Sequence, residues 1–276
     1  MNLKFALKQI KDVKVQGAKE IAIFGLKFLK EYSKKYGFGK KFETACEKLE
    51  KVRPTAVVLH NVLEIVKKEK RVETFDELIK ELENSTKKLA EIGQKIIPKK
   101  AKIMTHCHSG EALAVIKKAK EKRKKIEVFA TVTEPLFQGI KTVKELKEVG
   151  IKVNLIADSA AGYFMKDVDM VIVGSDAIRK EGIVNKIGTY LISLAAKKEG
   201  KKFYMVGNHF KFDKRKKFVI EERSENEIWK LVGKKIKGVK VRNPAFDIVP
   251  WENITALITD FGILKKKDVM KYLVKK

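Results

Sequence analysis

The chain has 276 residues, with 62 Lys and Arg against 35 Asp and Glu and a formal net charge of +27. Two cysteines, Cys46 and Cys107, exclude a disulfide framework and a cysteine zinc cluster, as expected in a reducing compartment. The start, Met1-Asn2-Leu3-Lys4, lacks a signal-peptide apolar core, and no apolar run approaches the ~20 residues that span a bilayer, so a cytoplasmic protein without membrane contact is expected.

The first part of the chain, 1–97, reads as helical. Ile21, Ala22, Phe24, Gly25, Phe28 and Leu29 recur near a 3.6-residue period over 18–32, and a short helix follows at 42–52. Pro54 suits a first helical turn and opens 55–67, with Val57, Val58, Val62, Ile65 and Val66 on one face. Leu78, Ile79, Leu82, Leu89 and Ile92 continue the pattern over 75–92. An all-helical domain over 1–98 is predicted, ending at Pro98 and a lysine-rich hinge.

Past Pro98 the period changes. Short β-rich runs at 102–105, 127–132, 152–157, 170–173 and 203–206 alternate with helical patterns near 111–123, 141–149, 159–165 and 185–199. That alternation predicts right-handed βαβ units and a parallel sheet, a Rossmann-like α/β domain over 99–276. The tail 243–250, with two prolines, is expected to be irregular and to open a last helix carrying Ile254, Leu257 and Ile258. No G-x-G-x-x-G follows a strand, so no dinucleotide cofactor is expected, and no cofactor of any other kind is indicated.

The stretch 103–117, I-M-T-H-C-H-S-G-E-A-L-A-V-I-K, has the profile of a buried strand, a polar loop and a helix start. In open α/β sheets that edge is where ligands bind, and a helix N-terminus there favours anions. Cys107 reads either as a small buried hydrophobe or as a functional thiol, whose thiolate flanking His106, His108 and the helix start would favour. The H-x-H pair has no second ligand cluster, so no metal is expected. Asp176 follows the 170–173 run and suits a helix cap or a ligand contact. Asn185 and Lys186, near a helix start, suit a phosphate or sugar hydroxyls, and Lys211 adds charge at the same edge. Asp158, in D-S-A-A, repeats the strand-end theme, and polar groups converging from several strand ends mark a site.

The charge excess raises the prospect of a polyanionic partner. Yet lysines interleave with glutamates as on solvated helices, and no basic stripe studded with aromatics appears, so nucleic acid is not an expected partner.

Seven segments carry a resemblance, in order along nearly the whole chain: R-P-T-A-V at 53–57, T-H-C-H-S at 105–109, Q-G at 138–139, D-S-A-A at 158–161, G-S-D-A at 174–177, N-K-I-G-T at 185–189 and N-P-A-F-D at 243–247. The chain resembles the family that joins the α, β and δ regulatory subunits of translation initiation factor 2B with the isomerases of methylthioribose 1-phosphate and ribose 1,5-bisphosphate. It looks most like an archaeal homologue of the regulatory subunits. The resemblance implies an N-terminal helical domain, a Rossmann-like C-terminal domain and a homodimer formed through the latter. It implies catalytic roles for Cys107 and Asp176 if the chain is an isomerase. Contacts to phosphate and hydroxyls would fall to Gly17, Ala18, Arg53, Ser109, Asn185, Lys186 and Lys211.

Two departures bear on activity. The isomerases read Arg-Gly-Ala where this chain has Gln16-Gly17-Ala18, and they carry arginine where it has Glu134 before Pro135. Exchanging a phosphate clamp for a carboxylate should repel a bisphosphate. The departures lead to the expectation of a non-catalytic regulatory-subunit homologue that binds the α subunit of initiation factor 2. Its strand-end pocket would sense a sugar phosphate or nucleotide. The alternative is a pentose 1-phosphate aldose–ketose isomerase working through Cys107 and Asp176.

Overall fold

The structure is a computed structural model that describes residues 2–12, 14–15 and 17–274. Its N-terminal part consists of α1 (Leu3–Lys11), α2 (Ala18–Tyr36), α3 (Lys40–Val52), α4 (Val57–Glu69) and α5 (Glu73–Gly93). Their apolar faces close on a core in which Phe42, Leu63, Phe75 and Leu82 are fully buried. Phe42 meets Phe75 edge-on at 6.3 Å between ring centroids. α5 serves two cores: Leu78 and Leu82 face the helices, whereas Leu89 packs into the sheet core.

The end of α3 has a local cause. A residue before proline is driven out of the helical region, and Arg53, ahead of Pro54, sits at φ −146°. Pro54 therefore lies in the turn before α4 rather than inside its first turn.

The remainder contains β1 (Lys100–Thr105), α6 (Gly110–Glu121), β2 (Lys125–Thr131), α7 (Gln138–Glu148), β3 (Lys152–Ile156), α8 (Ala161–Phe164), β4 (Met170–Val173), β5 (Ala177–Ile178) and β6 (Gly182–Lys186). Then come α9 (Thr189–Lys198), β7 (Lys202–Val206), α10 (Glu225–Val232), β8 (Phe246–Pro250), β9 (Ala256–Thr259), β10 (Gly262–Leu264) and α11 (Lys266–Val274). Seven strands form one sheet in the order β10-β9-β7-β4-β1-β2-β3, parallel except for β10. The helical part plus Rossmann-like α/β sheet is thus the observed fold. From β1 the chain winds outward through β2 and β3, then returns to lay β4 on the other side of β1. The gap between the ends of β1 and β4 is a topological switch point, where open α/β sheets leave a crevice.

Three expectations are corrected. Residues 182–186 are strand β6, and the helix expected at 185–199 begins only at Thr189. β6 pairs antiparallel with β5 and β8 in a second, small sheet, so 246–250 of the segment expected to be irregular is strand. Its prolines are tolerated because Pro244 precedes the strand and Pro250 ends it at the sheet edge. Ile254, Leu257 and Ile258 have helical spacing, yet 256–259 is β9, buried along its length between β7 and β10. A strand covered on both faces shows a run of apolar residues instead of alternation, and the last helix, α11, starts ten residues later.

Candidate active site

β1 delivers the chain to the switch point and the loop 106–109 turns it into α6. Cys107 holds the left-handed conformation, φ +65°, uncommon for a side chain with a β-carbon. Two hydrogen bonds hold it there: its N–H donates to Thr133 Oγ1 (2.9 Å), and its carbonyl accepts from Thr142 Oγ1 (2.7 Å). Ser109 caps α6 by accepting the Ala112 N–H at 3.3 Å. At the end of β4, a β-carbon on Gly174 would lie 2.3 Å from Ser109 Oγ, so only glycine lets the two strand ends approach.

Opposite, Asp176 leaves β4 and donates its N–H to the Val184 carbonyl (2.8 Å), which ties it to the small sheet. β6 carries Asn185 and Lys186; the Asn185 amide donates to Thr189 Oγ1 at 3.0 Å, and the Lys186 ammonium lies 5.3 Å from the Phe246 ring centroid. Lys211 stands in the short turn after β7, paired with Glu111 of α6. Arg53 reaches in from the end of α3, 3.9 Å from Glu221, and its Nη1 is buried without a partner among the described residues. Gly17 and Ala18 begin α2 at the same place.

Cys107, Asp176 and the seven expected contact residues all line one cavity of about 330 Å³, whereas Asp158 does not. The sequence did not single out Lys19, Lys117, Lys141, Glu111, Glu145 and Phe246, which line it too. The five charged residues have the helical spacing of solvated charge, and the docking of α2, α6 and α7 around the switch point brings them to the cavity, whereas Phe246 comes from β8.

The electrostatics differ from the thiolate expectation. Burial pushes the Cys107 thiol up to about 11, and Lys186 opposes this only in part. Burial also raises Asp176 above its ordinary carboxylate range, against the pull of Lys211, Lys186 and Arg53. The flanking histidines do not activate the thiol. His106 is buried, which lowers its basicity, and its Nε2 faces the Ile187 carbonyl at 2.8 Å. A carbonyl only accepts, so Nε2 carries the proton and Nδ1 accepts from Thr131 Oγ1 (2.6 Å). His108 Nε2 engages Glu145 at 2.7 Å.

Glu134, expected to repel a bisphosphate, does not stand at the cavity. Its side chain is exposed and is not part of the cavity wall. Its backbone N–H and that of Thr133 donate to the Asp158 carboxylate at 2.7 and 2.8 Å, so Asp158 shapes this loop from outside the cavity wall. Gln16, the other departure, lies outside the described residues.

Residues 14–266 match the initiation factor 2 subunit family. The chain belongs to that family. It is 40% identical to the ribose 1,5-bisphosphate isomerase of Archaeoglobus fulgidus over 98% of this chain and 91% of that one. It is 37% identical to a methylthioribose-1-phosphate isomerase of Thermoanaerobacter over 95% and 88%. Among solved structures, the translation initiation factor eIF-2B of Pyrococcus horikoshii superposes with a TM-score of 0.85 at 28% identity, covering 97% of this chain and 98% of that one. These two relatives are thus named as isomerases, and the likeness to this initiation factor stands at lower identity. Among the described residues, no helix is long and apolar enough to cross a membrane.

Proposed function

We propose that the chain is an aldose–ketose isomerase of a pentose 1-phosphate, with ribose 1,5-bisphosphate as its substrate. The observation that carries this reading is the meeting of Cys107 and Asp176, two groups of shifted acidity, in a cavity walled by Arg53, Lys186 and Lys211. The isomerase relatives support it, and the exposed position of Glu134 removes the main argument for a non-catalytic regulatory subunit. The polar wall suits a second phosphate better than an apolar methylthio group, since Lys19, Lys117 and Lys141 line it and large apolar side chains are nearly absent.

Burial raises both groups, and a thiol that holds its proton beside a carboxyl that can ionise divides acid and base work. A thiol near 11 is protonated at neutral pH and can give its proton to the ring oxygen as the C1–O bond breaks. Ionised Asp176, made more basic by burial, takes the proton from C2 and returns it to C1. The C2 hydroxyl then gives its proton back to the Cys107 sulfur. Protons and electron pairs balance: one proton passes from C2 to C1, another from the C2 oxygen to the ring oxygen.

Phosphorus NMR of purified protein with ribose 1,5-bisphosphate and with methylthioribose 1-phosphate tests this. Conversion of the bisphosphate, abolished by Cys107→Ser, is expected. Binding without conversion would return the chain to the regulatory reading, in which its partner is the α subunit of initiation factor 2. A homodimer through the sheet domain belongs to the same proposal, supported by exposed Tyr163 on α8 and Leu191 and Leu194 on the neighbouring α9.

A further inference from the structure

Glu111 lies in the first turn of α6, where a carboxylate commonly faces water and offsets the helix dipole. Here it is only 3% exposed. One oxygen accepts from the Asn208 backbone N–H at 3.3 Å and from its side-chain amide at 2.7 Å. The other is paired with the ammonium of Lys211, itself 4% exposed. Removing two charges from water is costly, and such a pair is weak evidence of a stabilising role. Its place in the cavity wall suggests what it does instead. Lys211 is the cation that acts most strongly on Asp176. Lys186 from β6, Arg53 from the end of α3, Glu221 from the segment after Lys211, and Cys107 from the loop after β1 also face that carboxyl.

We propose that Glu111 is a positioning residue for the isomerisation, holding the Lys211 ammonium against the cavity wall and offsetting its charge so that Asp176 stays basic enough to take a proton from carbon. The proposal rests on the role given to Asp176 above. Without the Glu111 charge, Lys211 acts on Asp176 uncancelled and favours its ionised form. The carboxyl then ionises at lower pH and is a weaker base.

Carbon-13 NMR of labelled aspartate carboxyls, with the Asp176 signal assigned by its loss in Asp176→Asn, reads this without any ligand. In Glu111→Gln the Asp176 titration should move down by about one pH unit, and the acid limb of the rate profile with it. In Lys211→Met it should move up, and in Glu111→Asp, which keeps the charge, it should stay. An Asp176 titration that is unmoved or moves upward in Glu111→Gln overturns the proposal. So does a loss of rate with an unmoved limb, which a purely structural role would give. If the wild type converts no sugar phosphate, the isomerase reading fails while the NMR titration still decides for or against Glu111. If Glu111→Gln does not fold, Lys211→Met carries the test: an upward move supports the proposal, and none overturns it.

Discussion

Lysines and carboxylates of the helical part and those of the switch-point cavity behave differently, although they are the same residue types. On the helices they pair in water: Lys30 holds both oxygens of Asp76 at 2.6 and 2.7 Å, with the Asp76 side chain 63% exposed. Such pairs contribute about 0–1 kcal/mol and are screened by salt. In the cavity, Lys211 and Glu111 are buried and Asp176 and Cys107 half-buried, so the surrounding charges alter the acidity of Asp176 and Cys107. Net charge is therefore a poor guide to this protein's chemistry. Most of the +27 lies on solvated faces, and a handful of enclosed groups carry the site.

The comparison breaks if enclosed charges prove as replaceable as exposed ones. Asp176→Asn should lower turnover by about a thousandfold while thermal melting stays within a few degrees, because it removes the base and keeps the shape. A loss below tenfold in phosphorus NMR would deny Asp176 its role. Phe42→Ala should cost about 3–5 kcal/mol in denaturant unfolding, since the fully buried ring packs against Phe38 and Phe75.

The pH profile sharpens the contrast. Asp176 must be ionised to act as base, so the rate should fall about tenfold per unit below its raised ionisation. Cys107 must keep its proton, so the rate should fall again as pH passes about 11. An optimum confined to strongly acid pH would reverse the assignment. Arg53→Lys keeps the charge and removes the planar fork, and should weaken inorganic phosphate binding about tenfold by calorimetry. The smallest effects belong outside the cavity. Glu134→Gln should change kcat/KM by less than about twofold, and Asp76→Ala should change stability by less than about 1 kcal/mol.

Much of this was written in local pattern. The helical period of 1–97, the five β-rich runs and the polar residues at their ends are one-dimensional signals, and the strands β1, β2, β3, β4 and β7 stand within two residues of where those runs lie. Cys107 and Asp176 could be nominated because a polar loop after an apolar run marks a strand end whatever the topology. The small sheet was harder to read, since G-I-V-N-K is short and runs directly into the pattern of α9. β9 was misread because burial on both faces erases alternation.

What the sequence by itself determined, then, is the helical kind of 1–97, the strands β1, β2, β3, β4 and β7 and the polar residues that follow them, because propensity and periodicity act over a few neighbours. Tertiary structure alone decided which of those ends meet, that Glu134 faces out and Glu111 faces in, and that burial pushes the Cys107 thiol up. Those outcomes depend on how deeply a group is withdrawn from water and which charges surround it, and both are set by segments far apart in the chain.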